Sequence, residues 1–209
     1  MAARTTEGEA IDIGFDGKRC IHARNCVLGR PDVFEPNAPG GWIRPQRASV
    51  ERIVQVVETC PSGALTYRRK DGGAQEQPPA VNTLRLREDG PLALHADIRL
   101  GEEALLRAVL CRCGASQNKP FCDGSHAKAG FTATGEPAAK DSAALEARDG
   151  PLTVTPQPNG CLKIEGNLEI VSGTGRMVER TRRAFLCRCG HSANKPWCDG
   201  THKKVGFTA

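Results

Sequence analysis

Aromatic side chains supply only 4% of this 209-residue chain, with one Tyr and two Trp, and there are two Met. With apolar residues at 39% overall, that is thin material for one large core. Small units braced by something other than packing are expected instead. No run approaches the roughly 20 apolar residues that a bilayer span requires. Residues 1–14 lack an apolar stretch and carry Glu7, Glu9 and Asp12, so no secretory leader is expected. The expectation is a soluble, cytoplasmic chain whose thiols stay reduced. Absent too are a P-loop, a dinucleotide glycine fingerprint, a Ser-His-Asp order and an HExxH pair, which points to a carrier rather than an enzyme. The net charge is only +5. Its basic clusters, Arg68 to Lys70 and Arg180 to Arg183, have no interleaved aromatics, so a nucleic-acid partner is not expected.

Ten cysteines stand out against this background. Six of them, with two histidines, form one pattern written twice. Cys111-Arg-Cys113 is followed by Asn-Lys-Pro120-Phe-Cys122-Asp-Gly-Ser-His126. Cys187-Arg-Cys189 is followed by Asn-Lys-Pro196-Trp-Cys198-Asp-Gly-Thr-His202, 76 residues later. Three thiols and an imidazole at one repeated spacing, C-x-C-x8-C-x3-H, are a soft donor set suited to iron or zinc. Zinc sites usually show C-x2–4-C pairs, so zinc fits poorly. The pattern resembles the CDGSH iron–sulfur family, the NEET proteins.

That resemblance implies a [2Fe–2S] cluster at Cys111, Cys113, Cys122 and His126, and another at Cys187, Cys189, Cys198 and His202. In each, the C-x-C pair would serve one iron and the Cys and His four apart the other. It also implies β-rich domains that pair about a twofold axis. Since both halves lie on one chain, a monomer with internal pseudo-twofold symmetry is expected.

Around the motifs, alternating apolar residues predict matching strands over Leu92–Leu100 and Leu162–Ile170. Shorter strands over Thr83–Leu86 and Leu152–Val154 precede them. Asp89-Gly90 and Asn159-Gly160 mark hairpin turns between each pair. Ala108–Leu110 and Ala184–Leu186 predict the strands that deliver each C-x-C. Residues 72–80 and 134–147 read as joints, the second with a loose helix over Ala138 to Arg148.

The first 70 residues form a different module. It has a strand at Ile11–Ile13, a helix over Ala48 to Thr59 and a closing strand at Leu65–Tyr67. Cys20-Ile-His-Ala-Arg-Asn-Cys26, Pro31-Asp-Val-Phe34 and Cys60-Pro-Ser-Gly-Ala-Leu65 resemble the divergent single-cluster bacterial ferredoxins. The resemblance implies a cluster on Cys20, Cys26 and Cys60. Ala23 stands where a four-iron site wants a thiol, so a [3Fe–4S] cluster is expected, with [4Fe–4S] or an empty remnant as alternatives. His22 is expected to line the surface near the cluster. His95, His191 and Cys161 are not expected to be ligands.

The expected fold class is α+β. A ferredoxin-like domain over 1–72 precedes CDGSH domains over 81–133 and 149–209. The expected function is one-electron transfer with an unidentified redox partner. Cluster storage or transfer to an apo-protein acceptor, and redox or pH sensing, are the alternatives.

Overall fold

The computed structural model describes residues 3–209 and mixes helices with a larger share of β-structure, an α+β chain. It divides into a unit that ends at Gln77 and a unit of Pro78–Ala209, with the boundary inside the predicted 72–80 joint.

The first unit is a three-stranded antiparallel sheet in the order β1 (Arg4–Thr6), β2 (Ile11–Phe15), β3 (Leu65–Arg69). Strand β1 had no alternation to announce it. Helices α1 (Asn25–Gly29) and α2 (Val50–Glu58) lie between β2 and β3 in the chain. The helical spacing of Ile53, Val56 and Val57 puts all three in the core with Ile11, Ile13, Phe34 and Leu65. Asp12, buried on β2, is held by Arg68 on β3 at 2.5 Å and by Lys70 just after it at 2.9 Å.

The second unit is one six-stranded sheet. Its strands are β4 (Thr83–Leu86), β5 (Leu92–Leu100), β6 (Glu103–Leu110), β7 (Pro151–Pro156), β8 (Leu162–Val171) and β9 (Met177–Leu186). Each half is an antiparallel meander, β4-β5-β6 and β7-β8-β9. The halves are joined by exchange of their first strands. Strand β4 pairs in parallel with the end of β8, Leu84 opposite Ile170. Strand β7 pairs in parallel with the end of β5, Leu152 opposite Ile98. A register shift falls at the same place in both long strands, between His95 and Ile98 and between Glu165 and Leu168. It lets one strand face two successive partners.

The shared core is almost entirely aliphatic. Leu84, Leu86, Leu92, Leu94 and Ile98 from one half meet Leu152, Val154, Leu162, Ile164 and Ile170 from the other. That is how a chain so poor in aromatics closes a core. The third strands run longer than the sequence suggested. Charged residues at Glu103 and Arg180 to Arg183 hide the alternation on the sheet edges.

The loose helix expected over Ala138 to Arg148 does not form; residues 136–148 carry no helix. The segment bonds across to β9 instead. Lys140 N–H donates to the Val178 carbonyl at 2.7 Å, and the Arg180 N–H donates to Ser142 Oγ at 3.0 Å.

Candidate metal centres

Each C-x-C motif leaves the end of a core strand, β6 or β9. Backbone bonds then return the third Cys to that strand: Cys122 N–H to the Val109 carbonyl at 2.9 Å, Cys198 N–H to the Phe185 carbonyl at 2.8 Å. The loop between is tied by its own side chains. Ser116 Oγ donates to the Phe121 carbonyl at 2.6 Å, and Lys119 Nζ to the Ser116 carbonyl at 2.6 Å. Ser192 and Lys195 repeat both bonds at 2.7 and 2.6 Å.

Asp123 closes the loop. Its carboxylate accepts from Gln117 N–H at 2.8 Å and Ser125 N–H at 3.0 Å, and Asp199 does the same in the second copy. Burial opposes ionisation at Asp123, but the hydrogen bonds it accepts win and hold the carboxyl at about 2. The Asp therefore starts the short helices α3 (Ser125–Lys128) and α4 (Thr201–Lys204), whose first turns carry His126 and His202.

The donors fall into two pairs in each copy. Cys111 and Cys113 sulfurs are 3.7 Å apart, and Cys122 Sγ is 3.4 Å from His126 Nδ1. The second copy gives 3.7 Å for Cys187 and Cys189 and 3.4 Å for Cys198 and His202 Nδ1. Two thiolates on one tetrahedral ion, with bonds of about 2.3 Å, stand about 3.7 Å apart; a thiolate and an imidazole nitrogen about 3.5 Å. Each pair therefore has the spacing for one tetrahedral metal. Among the described residues, no three Cys, His, Asp or Glu side chains converge on a single ion. A mononuclear zinc site requires that convergence; a two-metal centre does not.

Backbone N–H groups point at the ligand sulfurs. Ala115 and Gly124 donate to Cys113 and Cys122 at 3.4 Å each, and His191 and Gly200 to Cys189 and Cys198 at 3.5 and 3.4 Å. His191 meets this site through its main chain, as Ala115 does in the first copy. His95 is exposed on β5.

Gly114 and Gly190 sit where the two C-x-C loops approach each other. The two C-x-C loops meet as an antiparallel bridge between Cys113 and Cys189. A Cβ on Gly114 would lie 2.6 Å from the Cys189 carbonyl oxygen, and one on Gly190 2.4 Å from that of Cys113. These glycines let the two halves touch.

The middle residue of each C-R-C was not singled out from sequence. Arg112 is 1% exposed and donates to the carbonyls of Gly90, Thr134, Arg87 and Ala133 at 2.7 to 3.1 Å. Arg188 donates to Gly160 and Gln157 at 3.1 and 2.8 Å. Each guanidinium also lies 5.4 Å from a Phe ring, Phe131 or Phe207. The signal was available: the same Arg stands between two ligands in both copies.

Burial opposes ionisation at some of these thiols. Burial pushes Cys122 up to about 11, and Cys189 up as well. Within the first C-x-C, the hydrogen bond shared by the two sulfurs lowers Cys111 and raises Cys113. Metal binding at these sites must displace protons, so it strengthens as pH rises.

In the first unit, Cys20, Cys26 and Cys60 line one cavity of about 860 Å³, together with Ala23 and Trp42. All three thiols are half-buried. Burial raises Cys20 and Cys26, and neighbouring thiols add to it, Cys60 in both cases. His22 and Arg24 adopt left-handed conformations, with φ of 54° and 65°, which curl the 20–26 loop. His22 lines the cavity and is exposed; Ala23 brings no donor.

Comparison with known proteins agrees with this geometry. Residues 6–70 match the family described as divergent 4Fe-4S mono-cluster, and residues 85–127 and 159–203 match the family described as iron-binding zinc finger CDGSH type. The uncharacterized protein YjdI of Escherichia coli K12 is 43% identical over 67 residues, 32% of this chain and 87% of that protein. The CDGSH iron-sulfur domain-containing protein 1 of Rattus norvegicus is 36% identical over 83 residues, 38% of this chain and 73% of that protein; the Mus musculus protein matches equally.

Proposed function

This chain belongs to the CDGSH iron–sulfur family and carries a divergent 4Fe-4S mono-cluster domain ahead of its CDGSH segments, and we propose that it is a multi-cluster carrier of single electrons. Cys111, Cys113, Cys122 and His126 hold one [2Fe–2S] cluster, and Cys187, Cys189, Cys198 and His202 a second. The observation that carries the reading is the paired spacing of these donors, one tetrahedral metal per pair. Cys20, Cys26 and Cys60 hold a third cluster. Three thiols around a cavity with alanine at the remaining position favour [3Fe–4S] over [4Fe–4S].

Bound clusters supply one-electron redox chemistry. The chain's own groups do the rest. The buried ends of β6 and β9 keep water from the Cys111 and Cys187 sulfurs. Backbone N–H groups offset negative charge on the ligand sulfurs. Neutral imidazole in place of a fourth thiolate removes one negative charge and raises the potential.

The reciprocal exchange of β4 and β7 supports a pseudo-twofold arrangement within one chain, so the working form is a monomer. Its place is the cytoplasm, its partner a soluble redox protein, and it is not itself a catalyst. Among the described residues, no helix is long and apolar enough to cross a membrane.

Cluster donation to an apo-protein is the second reading. The half-exposed His126 and His202 on four-residue helices favour it, since a ligand there detaches without opening the core. Repeated chemical reduction and reoxidation separates the two. Electron transfer predicts visible absorbance that returns fully over many cycles, with slow loss to an apo-ferredoxin acceptor. Absorbance that moves to the acceptor faster than electrons do would contradict it.

A further inference from the structure

Trp197 stands directly before Cys198, and its main chain is fixed on both sides. Its N–H donates to the Asn194 carbonyl at 2.9 Å, and its carbonyl accepts from Ser192 Oγ at 2.7 Å. The indole is fixed as well. Its Nε1 donates to Glu179 Oε2, on β9, at 2.7 Å. Lys140 Nζ lies over the ring, 3.4 Å from its centre, and 3.3 Å from the same carboxylate oxygen. A cation over an indole, with the indole N–H bonded to that cation's own counter-ion, makes a closed clamp of three side chains.

Lys140 lies in the segment between the two repeats, and that segment is laced to β9. The Lys140 N–H donates to the Val178 carbonyl at 2.7 Å, the Arg180 N–H to Ser142 Oγ at 3.0 Å, and Arg176 Nη2 to the Pro137 carbonyl at 2.6 Å. Lys140 is therefore placed by backbone bonds as well as by charge. The first repeat has the acceptor without the donor. Glu103 pairs with Leu100 as Glu179 pairs with Ile170, so a Glu stands at this register in both. Phe121 takes the place of Trp197, and a phenyl ring has no N–H. The bond from indole to carboxylate is particular to the second site.

Iron leaves a protein site only when its ligands part from it, and that requires the ligand loop to open locally. Cys198 and Trp197 are neighbours in the chain, so a loop that carries Cys198 away also carries the indole away from Lys140 and Glu179. We propose that Trp197 is a positioning residue for the second cluster: clamped by Lys140 and Glu179, it keeps Cys198 on its iron. Breaking the clamp raises the population of the open loop, and the cluster is lost faster. A segment outside both repeats thereby sets how firmly the second cluster is held. The inference rests on the [2Fe–2S] reading of that site.

The test mixes the cluster-loaded full chain with EDTA and iodoacetamide at one neutral pH. Alkylation traps each thiol as its iron leaves, and peptide mass spectrometry reads Cys198 and Cys122 separately. Wild type is compared with Trp197→Phe, which copies the first repeat, with Lys140→Met and with Lys140→Arg. The expected result is severalfold faster alkylation of Cys198 in the Phe and Met variants, with Cys122 at its wild-type rate. Arg keeps both the ion pair and the contact with the ring, so it stays near wild type. Should Trp197→Phe load poorly, Lys140→Met carries the test, because the Lys140 side chain is 41% exposed and its loss opens no gap in the core. Cys198 released at the wild-type rate in the Met variant, Cys122 accelerated equally, or Arg behaving as Met would overturn the role. Acid-labile sulfide in the purified wild type is measured first: its absence removes the cluster reading itself, whereas sulfide with an unchanged Cys198 rate removes only the role of the clamp.

Discussion

Both proposed ligand histidines, His126 and His202, face their cysteine through Nδ1, from the first turn of a helix whose first N–H is held by an Asp carboxylate. This fixes what a fourth thiolate there would do. His126→Cys or His202→Cys adds a negative charge to one site and removes a group that protonates once detached. Each variant should keep its cluster, titrate at a lower potential than wild type, and lose absorbance more slowly in mild acid. Redox titration with a stopped-flow pH drop checks both; unchanged potential and unchanged acid loss would mean that neither His is a ligand. At this scale the paired donor geometry of the second unit was legible, because C-x-C and C-x3-H are local spacings that survive in any fold.

Among the elements, the Cys loops depend on a buried cation that serves the backbone rather than the metal. Arg112 is fully buried, and its hydrogen bonds go to four backbone carbonyls. Arg112→Ala should cost on the order of 2–4 kcal/mol, because it removes four hydrogen bonds and empties the buried space the guanidinium fills. Lys should not rescue it, since an ammonium cannot span four carbonyls as a planar fork does. Thermal melts of the three proteins check this, and an unchanged midpoint in the Ala variant would contradict it. The strands were legible wherever one face is buried: the alternations at Leu92–Leu100 and Leu162–Ile170 became β5 and β8. Alternation failed at the edges, in β1, in the charged stretches of β6 and β9, and in the 134–147 joint. There Ala-rich composition suggested a helix, but Lys140 is held over the Trp197 ring at 3.4 Å and beside Glu179 at 3.3 Å. Those tertiary contacts outweigh a weak helical propensity.

For the molecule as a whole, the sequence repeat announced two similar halves but not how they join. The exchange of β4 and β7, and the Cys113–Cys189 bridge made possible by Gly114 and Gly190, are pairings between residues 54 to 86 positions apart. No local pattern encodes them. In the first unit, Cys20, Cys26 and Cys60 were legible as a set, and the cavity they share is what the fold adds. The central claim is three clusters on one chain, the third carried by those three thiols. The most direct test is EPR of the oxidised monomer, with iron and acid-labile sulfide counted on the same sample. The account predicts about seven irons and eight sulfides per chain, with a signal near g of about 2 from the odd-electron three-iron core while both [2Fe–2S] clusters stay silent. An EPR-silent oxidised protein with about four irons would leave the first unit without a cluster, and zinc without sulfide would end the account altogether.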